Sequence, residues 1–92
     1  MRRTVGIAVE AVEELKALPA RFRKPVIAAI DELEHQADVT TKHRHPMRGA
    51  FVPHWQIEVG EHRVYYVFDA QQVTVKAVRL KGNKRTEEVF KP

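Results

Sequence analysis

The sequence predicts an α+β fold: an antiparallel-rich twisted sheet of about four strands packed on an N-terminal helical hairpin, with a short C-terminal helix. Three observations carry this prediction. Apolar residues recur at helical spacing between residues 10 and 37, and they alternate with a period of two between residues 55 and 78. Between Val59 and His62 the alternating stretch is divided by Gly60-Glu61, a pair that suits a tight hairpin turn. A chain of 92 residues buries only about 60–65% of its unfolded surface, which is enough for one small core. Residues 1–92 are therefore expected to form a single domain.

Each element has its own justification. Val5, Ile7 and Val9 alternate with Thr4, Gly6 and Ala8, which reads as a short first strand. Val12, Leu15 and Leu18 then recur at helical spacing, with Glu10, Glu13, Glu14 and Lys16 on the other sides, until Pro19 stops the run. A second helix carries Phe22, Val26, Ile30, Leu33 and Ala37. Pro25 is tolerated in a first turn but costs about 3 kcal/mol inside a helix, so the regular helix is expected to begin near Pro25. Residues 38–54 keep no steady period and read as one long connection. No acidic residue occurs from Val39 to Ile57, whereas Lys42, Arg44 and Arg48 do, with His43, His45 and His54 among them. Long loops in small domains are often functional. Beyond them lies a three-stranded meander over residues 55–59, 63–68 and 73–78, with its second turn near Ala70-Gln71. The tail opens with Lys81-Gly82-Asn83-Lys84-Arg85 and is expected to form a short helix around residues 86–90.

Charge and composition narrow the class. The formal net charge is +4, with residues 1–38 carrying six basic and seven acidic side chains and residues 39–92 carrying ten and five. The basic excess thus lies in the second half, which points to an anionic partner and above all to nucleic acid. A hydrophobic content of 43% with 30% charged residues fits a globular domain rather than a disordered one. No apolar run approaches the roughly 18 residues of a membrane span. Met1-Arg2-Arg3 is a basic start, but the apolar stretch of residues 4–9 is short and ends at Glu10, so no signal peptide is expected. A cytoplasmic protein with no membrane partner follows. The absence of Cys removes disulfides, thiolate nucleophiles and Cys-based zinc sites. His43-Arg44-His45 is a weak metal signal, and neither a metal nor a cofactor is expected.

The turn fixes a register. A two-residue turn at Gly60-Glu61 sets Val59 opposite His62, Glu58 opposite Arg63, Ile57 opposite Val64 and Gln56 opposite Tyr65. Trp55, Ile57, Val64 and Tyr66 then share one face, and Gln56, Glu58, Arg63 and Tyr65 the other. A similar count across Ala70-Gln71 places Lys76 beside Tyr65 and Val78 beside Arg63. A Glu facing an Arg on a solvated hairpin is commonly a salt bridge worth about 0.2–1 kcal/mol. The sharper reading is a phosphate-handling surface, where Arg63 clamps a phosphate and Glu58 removes a proton. Tyr65 either stacks on a base or is an ordinary half-buried sheet tyrosine.

The order of these elements resembles the RelE/ParE superfamily of toxins from bacterial type II toxin–antitoxin modules. Residues 8–18 followed by Pro19 carry part of the resemblance, as does Met47-Arg48-Gly49. The main part is Trp55-Gln56-Ile57-Glu58-Val59-Gly60-Glu61-His62-Arg63-Val64-Tyr65-Tyr66-Val67-Phe68-Asp69, which is similar to the family's hairpin built around one arginine. Residues 73–78 and 81–90 continue it, so nearly the whole chain is covered.

The resemblance implies a toxin neutralised by a cognate antitoxin. In the RelE-like branch it implies an endoribonuclease that cuts mRNA in the ribosomal A site without a metal. There the substrate's own 2′-OH attacks the adjacent phosphate and leaves a 2′,3′-cyclic phosphate end. Carried over to this sequence, Arg63 matches the strand arginine and Arg48 a loop arginine. Gln56 and Glu58 stand where one subgroup has two lysines, with Glu58 as the base instead. Lys84 or Arg85 falls where a second arginine is expected. Phe90 replaces a terminal tyrosine, which leaves protonation of the leaving group to His45, His54 or His62. The expected catalytic residues are Arg63, Glu58, Lys84 and Arg85. Lys42, Arg44, His45, Arg48, Gln56, Tyr65, Lys76, Arg79 and Lys81 are expected to contact RNA. The competing functions are a ParE-like inhibitor of DNA gyrase and a non-catalytic nucleic-acid or partner-binding module of the same fold.

Overall fold

The computed structural model describes residues 2–92. In chain order it contains β1 (Thr4–Ile7), α1 (Val9–Ala17), α2 (Ala20–Asp31), α3 (Leu33–Gln36), β2 (Arg44–Pro46), a 3₁₀ turn at Gly49–Phe51, β3 (Trp55–Val59), β4 (His62–Phe68), β5 (Gln72–Leu80) and α4 (Thr86–Val89). The strands form one sheet in the order β1-β5-β4-β3-β2. β1 runs parallel to β5, and the other neighbours are antiparallel. The α+β class and the hairpin-on-sheet layering are as the sequence predicts. The fifth strand is β2, inside what reads as an unbroken connection.

The helical hairpin follows from its two prolines, though only one acts as the sequence suggests. Leu18 is extended at φ −74°, ψ 137°, as a residue before proline prefers, and this ends α1. α2 begins directly after Pro19 and passes through Pro25, so the expected start near Pro25 is corrected. Phe22 and Arg23 both donate to the Pro19 carbonyl, which closes the first turn before Pro25 is reached. Pro25 itself faces solvent, while Val26 and Ile30 hold the helix on the core. Packing of that apolar stripe outweighs one missing amide donor.

Ala11, Leu15, Val26, Ile30 and Leu33 from the helices, with Ala37 just after α3, meet Ile57, Val64, Tyr66, Val73, Val75 and Val78 from the sheet. Tyr66 is fully buried and donates its hydroxyl to the Ala37 carbonyl at 2.7 Å. The far face of the sheet carries a second, smaller cluster of Tyr65, Ala77, Val89 and Phe90. α4 thus covers part of a face that the sequence leaves open.

The β3–β4 register is the predicted one at every pair. Gly60 has φ +60°, as the first central residue of a type II′ turn requires. The β4–β5 register agrees from Phe68↔Val73 to Tyr66↔Val75 and then slips by one at a bulge. Tyr65 pairs with Ala77, Val64 with Val78, and Arg63 with Arg79. Lys76 is therefore not beside Tyr65, and Val78 is not beside Arg63. Strict alternation would send Val75 and Val78 to opposite faces. The extra residue lets both join the core and leaves Lys76 exposed at the irregularity.

Among the described residues, no helix is long and apolar enough to cross a membrane.

Candidate functional site

The far face of β3 and β4 brings together a carboxylate, two imidazoles and a guanidinium. β2 pairs with β3 so that His45 lies opposite Gln56, two residues from Glu58 and on the same face of the strand. The His45 Nε2 stands 3.4 Å from one Glu58 carboxylate oxygen. The His43 Nδ1 stands 3.8 Å from the other. A backbone bond from the Glu58 N–H to the His43 carbonyl, 2.7 Å, ties the strands at this point. Burial raises the Glu58 pKa, but hydrogen bonding from His45 and His43 and the charges of Arg63 and His45 bring it below its ordinary 4.5. Glu58 is thus a carboxylate at neutral pH, held by groups that favour its charged form.

This makes a titration prediction with a definite sign. A carboxyl whose folded pKa is depressed contributes stability above its unfolded value and loses it as pH falls through the folded one. The Glu58 side-chain carbon followed by NMR should titrate below 4.5. In a Glu58→Gln variant, the stability difference from wild type should shrink as pH falls through that midpoint. A midpoint above 4.5 would contradict the arrangement.

Arg63 faces Glu58 across the strands but does not form the expected cross-strand salt bridge among the described residues. Its Nη1 donates to the Gly60 carbonyl at 2.8 Å and to the His62 carbonyl at 2.9 Å. Its Nε is buried with no partner. The hairpin turn itself is what holds this guanidinium. Beside it the Tyr65 hydroxyl is also buried and without a partner. The Tyr65 ring is stacked on Phe90 at 4.3 Å and 7°. Burial raises its pKa against the lowering effect of Arg63 and Arg79. Tyr65 is therefore not a surface on which a base can stack, because Phe90 already occupies that position.

Two other expected RNA contacts prove to be structural. Arg44 is 3% exposed. Its Nε donates to the Val39 carbonyl at 2.8 Å, and its two Nη atoms reach Gln36 at 2.8 Å and Glu32 at 3.4 Å. In β2 it faces the helices, opposite the core residue Ile57, so strand alternation turns it away from His45. Arg79 donates to Glu14 and to the Val89 carbonyl, each at 2.8 Å, and its guanidinium lies over Phe90. These contacts anchor α4 and leave the Arg79 side chain about a third exposed. Glu14 is a participant that the sequence does not reveal. Its second oxygen accepts the Val78 N–H, and an exposed-looking helix glutamate gives no signal of that role.

The remaining expected residues stay available. Lys42, Arg48, Lys84 and Arg85 are exposed, and Lys81 is half-buried beside the hairpin turn, its N–H bonded to the Glu61 carbonyl. Gln56 is buried and lines a cleft of about 760 Å³ with His45, Met47, Arg48, Phe51 and Glu87. That volume lies within the range of sites for ligands of nucleotide size. Lys76 is exposed at the β5 irregularity, next to Ala77 and not paired with Tyr65. Among the described residues, no three His, Asp or Glu side chains are placed to hold a metal ion.

No protein-family model and no curated protein matches the sequence. Solved structures do match the fold. A chain of the archaeal RelE–RelB complex from Pyrococcus horikoshii superposes with a TM-score of 0.75 at 19% identity, over 90% of this chain and 99% of that one. A mutant of the toxin RelE from E. coli in the free state gives 0.73 at 16% identity, over 89% and 86%. A YoeB/ParE toxin from Agrobacterium tumefaciens gives 0.70 at 16% identity, over 84% and 96%. At these identities the likeness defines the architecture, and the chain has the fold of the RelE and YoeB toxins.

Proposed function

We propose that the protein is the toxin of a toxin–antitoxin module and acts as a ribosome-dependent mRNA interferase. The observation that carries this reading is the ionised Glu58 carboxylate on the same sheet face as Arg63, beside a cleft lined by Gln56 and Arg48. Glu58 takes the proton of the substrate 2′-OH, and the resulting oxygen attacks the adjacent phosphate. Arg63 is preoriented by the Gly60 and His62 carbonyls, and its guanidinium offsets the charge that grows on the phosphoryl oxygens. Lys84 and Arg85 complete the charge clamp from the tail, while Lys42, Arg48 and Lys81 hold the RNA backbone by charge. No step in this chemistry calls on a metal or cofactor. The partners are a cognate antitoxin, the ribosome and mRNA, in the cytoplasm. The antitoxin is supported by similar chains having been solved in RelE–RelB complexes.

The test is induced expression followed by primer extension on a reporter mRNA, beside an Arg63→Ala variant. Ribosome-dependent cuts are expected from the wild type. Arg63→Ala should lower their rate by about 10²–10³-fold, as for loss of one preorganised charge stabiliser. The likeness to a YoeB/ParE toxin favours a second reading, inhibition of DNA gyrase. Supercoiling defects or DNA breaks without RNA cuts would establish it in place of the first. No growth effect at all would leave a non-catalytic binding module.

A further inference from the structure

The proposed cleavage has a base and a charge clamp, but it also needs a group that returns a proton to the leaving oxygen. Position 90 is a phenyl ring stacked on Tyr65 and cannot supply one. The chain has five histidines, and the fold separates them. His54 is buried, its Nδ1 lies 2.9 Å from the Phe51 carbonyl, and its ring packs edge-on against Phe90. His62 is buried against Phe22 of the helical hairpin. His35 lies on α3 beside Glu34. His43 touches Glu58 but does not line the cleft, and its side chain is 61% exposed. His45 alone among them both contacts Glu58 and lines the cleft.

Its two ring nitrogens carry the argument further. Nε2 faces the Glu58 carboxylate and Nδ1 faces the Pro46 carbonyl, each at 3.4 Å. Both neighbours are acceptors. A neutral imidazole has one N–H and can serve only one of them, whereas the imidazolium donates to both. These contacts are long, which suits a ring that exchanges one partner for a substrate oxygen.

We propose that His45 is the general acid of the cleavage, an assignment that rests on the ribonuclease reading above. Glu58 accepts the 2′-OH proton, the 2′-oxygen forms a bond to phosphorus, and the P–O5′ bond breaks with its electron pair passing to O5′. The His45 imidazolium gives its proton to O5′. The step leaves a protonated Glu58 beside a neutral His45. Transfer of the proton between these neighbours restores both, so no outside donor is consumed. The charged groups around the ring are Glu58 on β3, His43 before β2, Arg63 on β4, and Arg48 and Glu87 across the cleft.

The test is single-turnover cleavage on ribosomes programmed with an mRNA whose scissile linkage carries either the normal O5′ or a bridging sulfur there. A thiolate leaves without being protonated. His45→Gln is expected to slow the oxygen substrate by about 10²-fold or more and to cut the sulfur substrate within a few-fold of wild type. Glu58→Gln is expected to remain slow on both, and His35→Gln to match wild type on both. The high-pH decline of the wild-type rate on oxygen should vanish on sulfur. Wild-type rates from His45→Gln on the oxygen substrate, or equal losses on both substrates, would overturn the assignment. Failure of the wild type itself to cut would instead remove the ribonuclease reading, and His45 with it.

Discussion

Glu58→Gln should abolish cleavage, by about 10²–10⁴-fold, without lowering RNA affinity. Glutamine keeps the size of the side chain and offers His45 and His43 an acceptor oxygen, but it cannot take up a proton at neutral pH. Removing a negative charge from an anion-binding face does nothing to weaken attraction for phosphate. The two effects must therefore separate, with the rate collapsing and binding holding or tightening slightly. Gel-shift titration against a short RNA gives the affinity, and single-turnover cutting on ribosomes gives the rate. A parallel loss of both would mean that Glu58 holds the RNA and the base lies elsewhere. Retained cutting would remove Glu58 from the chemistry altogether.

The second large effect concerns stability. Arg44→Ala should cost about 2–3 kcal/mol, since hydrogen bonds from a charged group contribute about 1.5–3 kcal/mol and the buried stem loses its packing as well. For a domain of this size that lowers the melting temperature by roughly 10–20 °C. The cost stays below that of breaking a fully buried pair, because Glu32 is 61% exposed and regains water. Arg44→Lys should recover little. One ammonium cannot reach the Val39 carbonyl, Gln36 and Glu32 in the planar geometry of the guanidinium. Thermal unfolding followed by circular dichroism decides the point. An unchanged melting temperature with weakened RNA binding would return Arg44 to the surface role suggested by its basic neighbours.

What the sequence reveals depends on how local the cause is. The β3–β4 register follows from Gly60-Glu61, a turn contained within two residues, and it brings Glu58 opposite Arg63 without any tertiary information. The β4–β5 register follows from alternation only as far as Val75. The slip at Lys76 answers a demand of the core for both Val75 and Val78, which no local pattern states. β2 is hidden because three residues ending in a proline carry no period. It nonetheless places His45 on Glu58 and turns Arg44 inward, so two neighbouring basic residues acquire opposite roles. The partners of Arg44 lie at the junction of α2 and α3, in α3 and in the following loop, and those of Arg79 in α1 and α4. A count of positive charges cannot distinguish such residues from the free Lys42 or Arg48.

The two outermost strands of the sheet bear on how the chain behaves at high concentration. An exposed strand rim can template addition of another chain, the first step of edge-to-edge aggregation. Here β1 is four residues long, and β2 is three residues long and ends at Pro46, which has no amide hydrogen to offer. Thr41 folds back to bridge Arg44, and the Arg44 guanidinium points inward beneath the same strand. Where β1 leaves β5, the Glu14 carboxylate takes up the Val78 N–H that would otherwise face a newcomer. Both margins of the sheet thus resist aggregation, and the strand that carries His45 also guards the sheet against self-association.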